Sequence, residues 1–173
     1  KGYRAVLPQG GRDAVKNFLD NLKAPLVFAH DVAQGEMGRA GQTAKRFAMN
    51  STVGIVGIFD VSGIEHHSED LGQTLGVWGF DDGPYLVLPV IGPSVTRDTL
   101  GMVGDFYADP VNWYLRGTDR MYLNWVRTGV RGVDTRERNL ETLDDIERTA
   151  IDLYATYRSL YKQHRQTEIL NGK

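Results

Sequence analysis

The 173-residue chain contains no cysteine. This excludes a disulfide framework, a zinc–thiolate centre and a thiol nucleophile. It does not identify a compartment, because oxidising and reducing compartments both tolerate proteins without cysteine. The net charge is only −2, and no block of like charge is long enough for a disordered tail or a nucleic-acid footprint. We therefore expect no nucleic acid among the partners.

Long apolar runs are also missing. A membrane-spanning helix needs roughly 18–20 consecutive apolar residues. The longest candidates, Val53–Val61 and Tyr85–Pro93, reach about half that length or less. The sequence thus predicts that no single helix spans a bilayer, although the chain can still lie in one face of a membrane.

The signatures of common catalytic centres are absent as well. The chain has no Gly-x-Ser-x-Gly nucleophile elbow and no phosphate-binding loop ending in Lys-Ser or Lys-Thr. Paired carboxylates occur at 81–82 and 144–145, where a turn or a solvent-exposed face explains them. One cluster has residue types that ligate metals: His66, His67, Glu69 and Asp70. It makes a metal hydrolase one alternative, although a solvated loop is the simpler interpretation.

Apolar periodicity predicts helices nearly throughout, and hence an all-α fold class with one domain over residues 1–173. Asp13 is the predicted cap of a first helix, and Pro25 suits the first turn of a second. A third helix is expected from Glu36 to about Met49. Further predicted boundaries are Ser68 as the cap of a short helical turn, Ser94 as the cap of a helix from Val95 to about Ala108, Thr135 as the cap of a long helix through Tyr161, and Asn171–Gly172 as a helix stop.

Two apolar segments do not fit this pattern. Val53–Phe59 is apolar on every side, which is typical of an element that is buried or faces lipid. Leu86–Pro93 is almost wholly apolar yet contains Pro89 and Pro93. Because proline lacks a backbone donor, a helix or a central strand is disfavoured there. We therefore expect one irregular apolar loop, laid against core or against lipid.

Aromatic residues cluster beside these segments. Tyrosine and tryptophan favour membrane interfaces because the ring prefers apolar surroundings and the polar tip prefers water. The alternative is that the same rings fill the core of a small domain. The candidates for an interfacial position are Trp78, Tyr85, Trp113, Tyr114 and Trp125.

Three stretches resemble the MlaA/VacJ lipoproteins of Gram-negative outer membranes. The strongest match is GPYLVLP at 83–89 with GPS at 92–94 and RD at 97–98. The others are NSTVG at 50–54 with GIFDV at 57–61, and EDLGQTLGVWG at 69–79. The family's lipid-bearing cysteine lies in a segment that precedes Lys1. Leu153-Tyr154 replaces the family's Pro-Tyr, so we expect the last helix to run unbroken.

The resemblance implies a flat, ring-like arrangement of amphipathic helices, embedded in the periplasmic leaflet of the outer membrane and lipid-anchored. It implies a non-enzymatic protein that removes mislocalised phospholipid through an amphipathic channel and maintains outer-membrane lipid asymmetry. The implied partners are phospholipid as bound substrate, a trimeric porin and a soluble periplasmic carrier of the MlaC type. No cofactor or metal is expected.

Within that framework, we expect seven apolar side chains to contact acyl chains or to line the channel. They are Ile55, Val56, Phe59, Val87, Leu88, Val90 and Ile91. Arg46 and Arg97 are candidates for guiding the anionic headgroup, although a local pair between Arg97 and Asp98 explains Arg97 equally well. A soluble periplasmic scaffold that binds porins without handling lipid is the alternative function.

Overall fold

The computed structural model describes residues 7–89 and 91–170. Helices dominate this part of the chain, which confirms the predicted helical class. Val90 and the predicted helix stop at 171–172 lie outside the described residues, and the single domain stays a prediction. The helices are α1 (Gln9–Ala33), α2 (Met37–Thr52), α3 (Leu71–Val77), α4 (Thr96–Ala108), α5 (Pro110–Gly117), α6 (Tyr122–Arg138), α7 (Leu140–Thr149) and α8 (Leu153–Ile169).

Helix α1 is one continuous helix, so the prediction that Pro25 starts a second helix was wrong. Proline removes one backbone hydrogen bond and usually kinks or ends a helix. Here the neighbouring turns are held by burial, since Ala24, Leu26 and Val27 are all buried. Tertiary packing outweighs the local preference. The helix ends before Gly35, whose positive φ of 78° allows the chain to turn into α2.

Helices α3 and α4 approach each other closely through glycines. A Cβ on Gly101 would lie 2.5 Å from the backbone nitrogen of Gly72, so neither position admits a side chain. The predicted caps of both helices shift by one or two residues. Asp70, and not Ser68, caps α3 by accepting a hydrogen bond from the Gln73 amide at 2.9 Å. Ser94 lies in a strand, and α4 begins after Val95.

The proline-containing segment forms a two-stranded antiparallel hairpin, β1 (Tyr85–Leu88) and β2 (Gly92–Val95). The expected irregular loop is therefore wrong for most of its length. Pro93 is accommodated because the sheet has only two strands, so β2 has a free edge and one missing donor is tolerated.

The C-terminal part also differs from its prediction. Thr135 lies inside α6, and the long helix expected after it is divided by Ala150–Asp152 into α7 and α8. Asp152 then caps α8 by accepting a hydrogen bond from the Ala155 amide at 3.0 Å. The expected unbroken last helix is thus wrong. Helix α8 returns to pack against α3 and β2, which places its polar side chains beside the middle of the chain.

Across residues 7–89 and 91–170, every helix falls short of the combined length and hydropathy that a membrane crossing requires.

Candidate functional site

Polar and apolar side chains are distributed in an unusual way. Among the described residues, eighteen polar or charged residues are buried and only seven apolar ones. The seven are Leu19, Ala24, Leu26, Val27, Ala40, Val95 and Leu115. Large apolar side chains lie instead on the outside of most elements. We call the buried polar set the polar interior and the exposed large side chains the apolar exterior.

One part of the polar interior joins α1 to α2, α3 and α4. His30 contacts the Thr74 hydroxyl at 3.0 Å through Nδ1 and the Asp105 carboxylate at 2.9 Å through Nε2. Asp31 accepts a hydrogen bond from the Thr43 hydroxyl at 2.7 Å and contacts His67 at 3.0 Å. These buried polar groups are satisfied by one another, as low-dielectric surroundings require.

A second polar network adjoins the polar interior and centres on Arg165 of α8, which is half-buried. Its guanidinium donates to Asp70 at 2.7 Å and to Asp98 at 2.9 Å, and the Tyr161 hydroxyl donates to Asp98 at 2.6 Å. Burial alone would raise the pKa of Asp70, but hydrogen bonds from Arg165 and its charge lower that pKa to about 2. The pKa of Asp98 is lowered in the same way, also against the effect of burial. Arg165 therefore holds two carboxylates ionised and fixes α8 to α3 and α4.

Two cavities open into this interior and share wall residues. One, of about 190 Å³, lies between α1, α4, α5 and α6 and combines Leu19, Leu26 and Phe106 with Arg127 and charged neighbours. The other, of about 390 Å³, lies between α8 and the body of the chain and contains Met102, His164 and Arg165. Lys23 and Asp105 line both cavities, so the two cavities are adjacent.

The apolar segment Val53–Phe59 is a compact turn with strained backbone. Ile55 and Val56 have positive φ angles of 52° and 57°. That region is unfavourable for β-branched residues and costs roughly 1–2 kcal/mol for each. The turn is held by hydrogen bonds from the amides of Gly57 and Phe59 to the carbonyls of Asn50 and Gly54, at 2.7 and 2.9 Å. In this turn the side chains of Ile55, Val56 and Phe59 are exposed.

The hairpin presents a second exposed apolar surface. Val87 is 61% exposed and Ile91 62% exposed, whereas Leu88 is half-buried. Val90 lies outside the described residues. None of the six described side chains that were expected to contact acyl chains lines either cavity. All six lie in the two apolar surface regions, the Val53–Phe59 turn and the hairpin with its connecting turn.

The two arginines expected to guide headgroups are both buried and paired. Arg46 donates to Asp60 at 2.6 Å, and Arg97 contacts Asp82 at 2.8 Å and Asp98 at 3.2 Å. The pairing of Arg97 with Asp98 matches the local alternative that the sequence already offered. The headgroup role of either arginine stays a prediction.

The five aromatic candidates lie at the surface. Trp78, Trp113, Tyr114 and Trp125 are exposed, and Tyr85 is half-buried against Tyr154 and Tyr161. Two of the indole groups keep a polar partner. Nε1 of Trp78 donates to the Ala33 carbonyl at 3.0 Å, and Nε1 of Trp113 donates to the Tyr107 carbonyl. Exposed rings with anchored polar tips are typical of side chains at a membrane interface.

The residues of the metal-hydrolase alternative do not form one centre. Asp70 is engaged by Arg165, and His66 lies 3.5 Å from Asp20, so these two residues lie apart from His67 and Glu69. His67 and Glu69 do come together with Asp31, in a geometry that can hold a cation. Arg39, however, already contacts Glu69 at 2.6 Å and supplies the positive charge that a metal would bring.

Lys23 is one of several cavity residues that the sequence analysis missed, and it lines both cavities. It follows Leu19 by four residues and precedes Leu26 by three, so it interrupts the apolar face of α1. A single lysine on an apolar helix face is the signal that could have found it.

A helical protein with an apolar outside, a polar inside and adjacent amphipathic cavities has the properties of a membrane-seated carrier of amphipathic molecules. Comparison with known proteins makes this class specific. The MlaA lipoprotein family matches residues 1–168. The chain therefore belongs to the MlaA lipoprotein family.

Individual relatives agree with this assignment. The intermembrane phospholipid transport system lipoprotein MlaA of Haemophilus influenzae is 30% identical over 179 residues, covering 100% of this chain and 70% of that protein. Its namesake in Escherichia coli is 29% identical and covers 98% of this chain and 67% of that protein. The chain thus spans about two thirds of the length of these relatives.

A solved structure supports the same fold. It comes from work on the structural basis for maintenance of bacterial outer membrane lipid asymmetry. The structural alignment has a TM-score of 0.85 and 26% sequence identity, and it covers 97% of this chain and 84% of the solved one.

Proposed function

We propose that this protein carries phospholipid out of the outer membrane toward the periplasm, without a catalytic step, and so maintains lipid asymmetry. Relatives named as intermembrane phospholipid transport lipoproteins support the cargo. The observation that carries the proposal is the distribution of side chains, with polar groups inside and large apolar groups outside. An apolar outside has little stabilising value in water but is favourable in contact with acyl chains.

We place the protein as a flat helical ring in the periplasmic leaflet of a Gram-negative outer membrane. In this position Ile55, Val56 and Phe59 contact acyl chains. Val87, Leu88 and Ile91 contribute the other apolar contacts, and Val90, which lies outside the described residues, is retained as a candidate from the sequence. The exposed tryptophans and tyrosines lie at the boundary between acyl chains and water. The two adjacent cavities provide space for the polar headgroup.

The remaining partners follow from the family resemblance. A lipid anchor ahead of residue 1 would hold the protein at the membrane, a trimeric porin would surround or support it, and a soluble carrier of the MlaC type would accept the lipid. Arg46 and Arg97 are retained as candidates for headgroup guidance near the edge of the ring. Phospholipid is the cargo, and the transport needs no cofactor or metal.

Mass spectrometry of lipids that copurify in mild detergent tests this function. Stoichiometric phospholipid is expected with the natural sequence. Leu88→Asp should reduce the retained lipid because it places a charge on the surface proposed to contact acyl chains, while Leu88→Met, which preserves apolar volume, should not. Helical circular dichroism must stay intact in both variants. A protein that retains no lipid and stays fully soluble without detergent would instead support the porin-binding scaffold.

A further inference from the structure

Lys23 stands apart from the other cationic side chains that line the two cavities. Arg127 pairs with Asp109, Arg131 pairs with Asp20 at 3.2 Å, and Arg165 pairs with two carboxylates. Within the described part of the chain, the ammonium of Lys23 makes no salt bridge. Its recorded partner is the Ser68 hydroxyl at 3.3 Å, a long and neutral contact.

The carboxylates nearest to Lys23 are already occupied by other partners. Asp105 accepts from His30 and from the Leu71 amide, and Asp70 is held by Arg165. Asp20 is shared between Lys16 and Arg131. Their fields favour the charged ammonium, but no carboxylate oxygen is placed as its direct counter-ion. Lys23 therefore has hydrogen-bond donors to offer a ligand, and an anion bound beside it would favour its charged form.

The surroundings of Lys23 favour the binding of an anionic, partly apolar ligand. The side chain is only partly exposed, and burial lowers the pKa of Lys23 below its usual value despite the neighbouring Asp70. A partly desolvated ammonium without a counter-ion is stabilised when an anion binds. Leu19 and Leu26 flank it on the same face of α1, and both line the smaller cavity. An anionic group and an apolar chain would thus meet adjacent complementary surfaces.

We infer that Lys23 binds the phosphate group of a phospholipid at the junction of the two cavities. This assignment rests on the proposed transport function and identifies the part of the cargo that the interior recognises. The Lys23 ammonium supplies donors to the phosphate oxygens. Leu19, Leu26 and Met102 lie where the first carbons of the acyl chains leave the headgroup.

Calorimetric titration of the protein in mild detergent tests the assignment with three ligands. The first is a short-chain phosphatidylglycerol, the second is the diacylglycerol with the same acyl chains, and the third is inorganic phosphate. The variant Lys23→Met removes the charge and keeps the length, and Lys23→Arg preserves the charge. Lys45→Met, on an exposed part of α2, is the matched control.

The expected result is that Lys23→Met weakens phosphatidylglycerol binding roughly tenfold, since a charge-assisted hydrogen bond is lost. Lys23→Arg and Lys45→Met should bind it like the natural sequence, and diacylglycerol binding should be the same in all four proteins. The unfolding temperature of Lys23→Met should equal or exceed that of the natural sequence, because the ammonium it removes has no counter-ion. If that variant does not fold, Lys23→Gln takes its place in the same titration.

Three results would overturn the assignment. Equal phosphatidylglycerol affinity with and without the Lys23 charge would mean that Lys23 does not touch phosphate. Inorganic phosphate binding as tightly as the lipid, and with the same Lys23 dependence, would identify free phosphate as the ligand. Failure of the natural sequence to bind any phosphatidylglycerol would overturn the transport function itself, which distinguishes it from the first result.

Discussion

The polar interior and the apolar exterior differ in what stabilises them. The interior is held largely by the protein's own pairs, such as Arg165 between Asp70 and Asp98. The exterior has no such partner within the described chain. Val53–Phe59 keeps two β-branched residues at positive φ with their side chains exposed. The first region is stabilised by contacts within the chain, whereas the second contains two residues with strained backbone and exposed apolar side chains, for which we propose a lipid surface as the partner.

This contrast differs from the arrangement in water-soluble helical proteins. In a water-soluble helical protein, apolar faces pack on one another and polar residues cover them. Here the buried apolar residues are few, so the helices are joined mainly by hydrogen bonds and ion pairs. Helices α7 and α8 have no buried residue at all. The attachment of α8 depends on a small number of polar contacts, chiefly those of Arg165 and Tyr161, and we expect the fold to be most sensitive to their loss.

The largest change in the free energy of unfolding is expected from Arg165→Met. Removal of the guanidinium leaves Asp98, which is 2% exposed, without its main counter-charge. Breaking such a buried pair from one side costs about 3–5 kcal/mol of unfolding free energy. Urea unfolding in mild detergent measures it. Arg148→Met removes an arginine from an exposed pair with Asp145 and should produce no resolvable change. Equal effects of the two variants would contradict the special role of the interior.

The next effect is pH-dependent and concerns Asp70. Its pKa falls from 3.8 in the unfolded chain to about 2 in the fold, because Arg165 outweighs the effect of burial. The ionised form is therefore favoured by folding. The corresponding stability, about 2 kcal/mol, is present above pH 4 and is lost as the pH falls toward 2.

Urea unfolding at a series of pH values between 6 and about 2 tests this prediction. The natural sequence should lose stability steeply over the acidic part of the series. Asp70→Asn should be less stable at neutral pH and should have a flatter dependence on pH. Parallel curves for the two proteins would show that Asp70 is not coupled to folding in this way.

In the apolar exterior, Val56→Gly is expected to raise the unfolding free energy by a smaller amount. Glycine adopts the positive φ at position 56 without strain, so the unfolding free energy should rise by about 1 kcal/mol. Binding to phospholipid vesicles should weaken, since one exposed apolar side chain is lost. Ile58→Gly, at a neighbouring residue without a positive φ, is the control and should lower both quantities. A loss of stability in Val56→Gly would contradict the strain.

The smallest effect on folding is expected from Val87→Ala. Val87 is 61% exposed, so its truncation should change the unfolding free energy by less than about 0.5 kcal/mol while weakening vesicle binding. Val95→Ala makes the matched comparison on the same hairpin. Val95 is 1% exposed, and its truncation should cost about 2 kcal/mol. If the two truncations lowered the unfolding free energy equally, the hairpin would have no distinct outer face.

The sequence predicted the helical class because apolar periodicity is a local property. It failed where distant contacts decide. Pro25 is an ordinary helix start by local rules, yet the packing of the residues around it keeps α1 continuous. The hairpin was missed because two prolines argue against strands, and only the free edge of a two-stranded sheet admits Pro93.

The interior was beyond sequence patterns for a similar reason. Arg165 and Asp98 are separated by 67 residues, and Arg165 and Asp70 by 95, so no local spacing relates them. Phe59 and Val87 could be singled out because apolar segments with no polar face are visible in a single sequence. The structure shows that both side chains are exposed, and their contact with lipid stays a prediction.

Quenching of tryptophan fluorescence by brominated phospholipids tests the central claim most directly, because Trp78, Trp113 and Trp125 all lie in the apolar exterior. Three proteins, each with one tryptophan and phenylalanine at the other two positions, should be reconstituted into vesicles whose lipids carry bromine on the acyl chains. The account predicts strong quenching at all three positions, stronger for bromine near the headgroup than near the chain end. Tryptophan emission unaffected by bromine, in a protein that stays in solution without detergent, would contradict it.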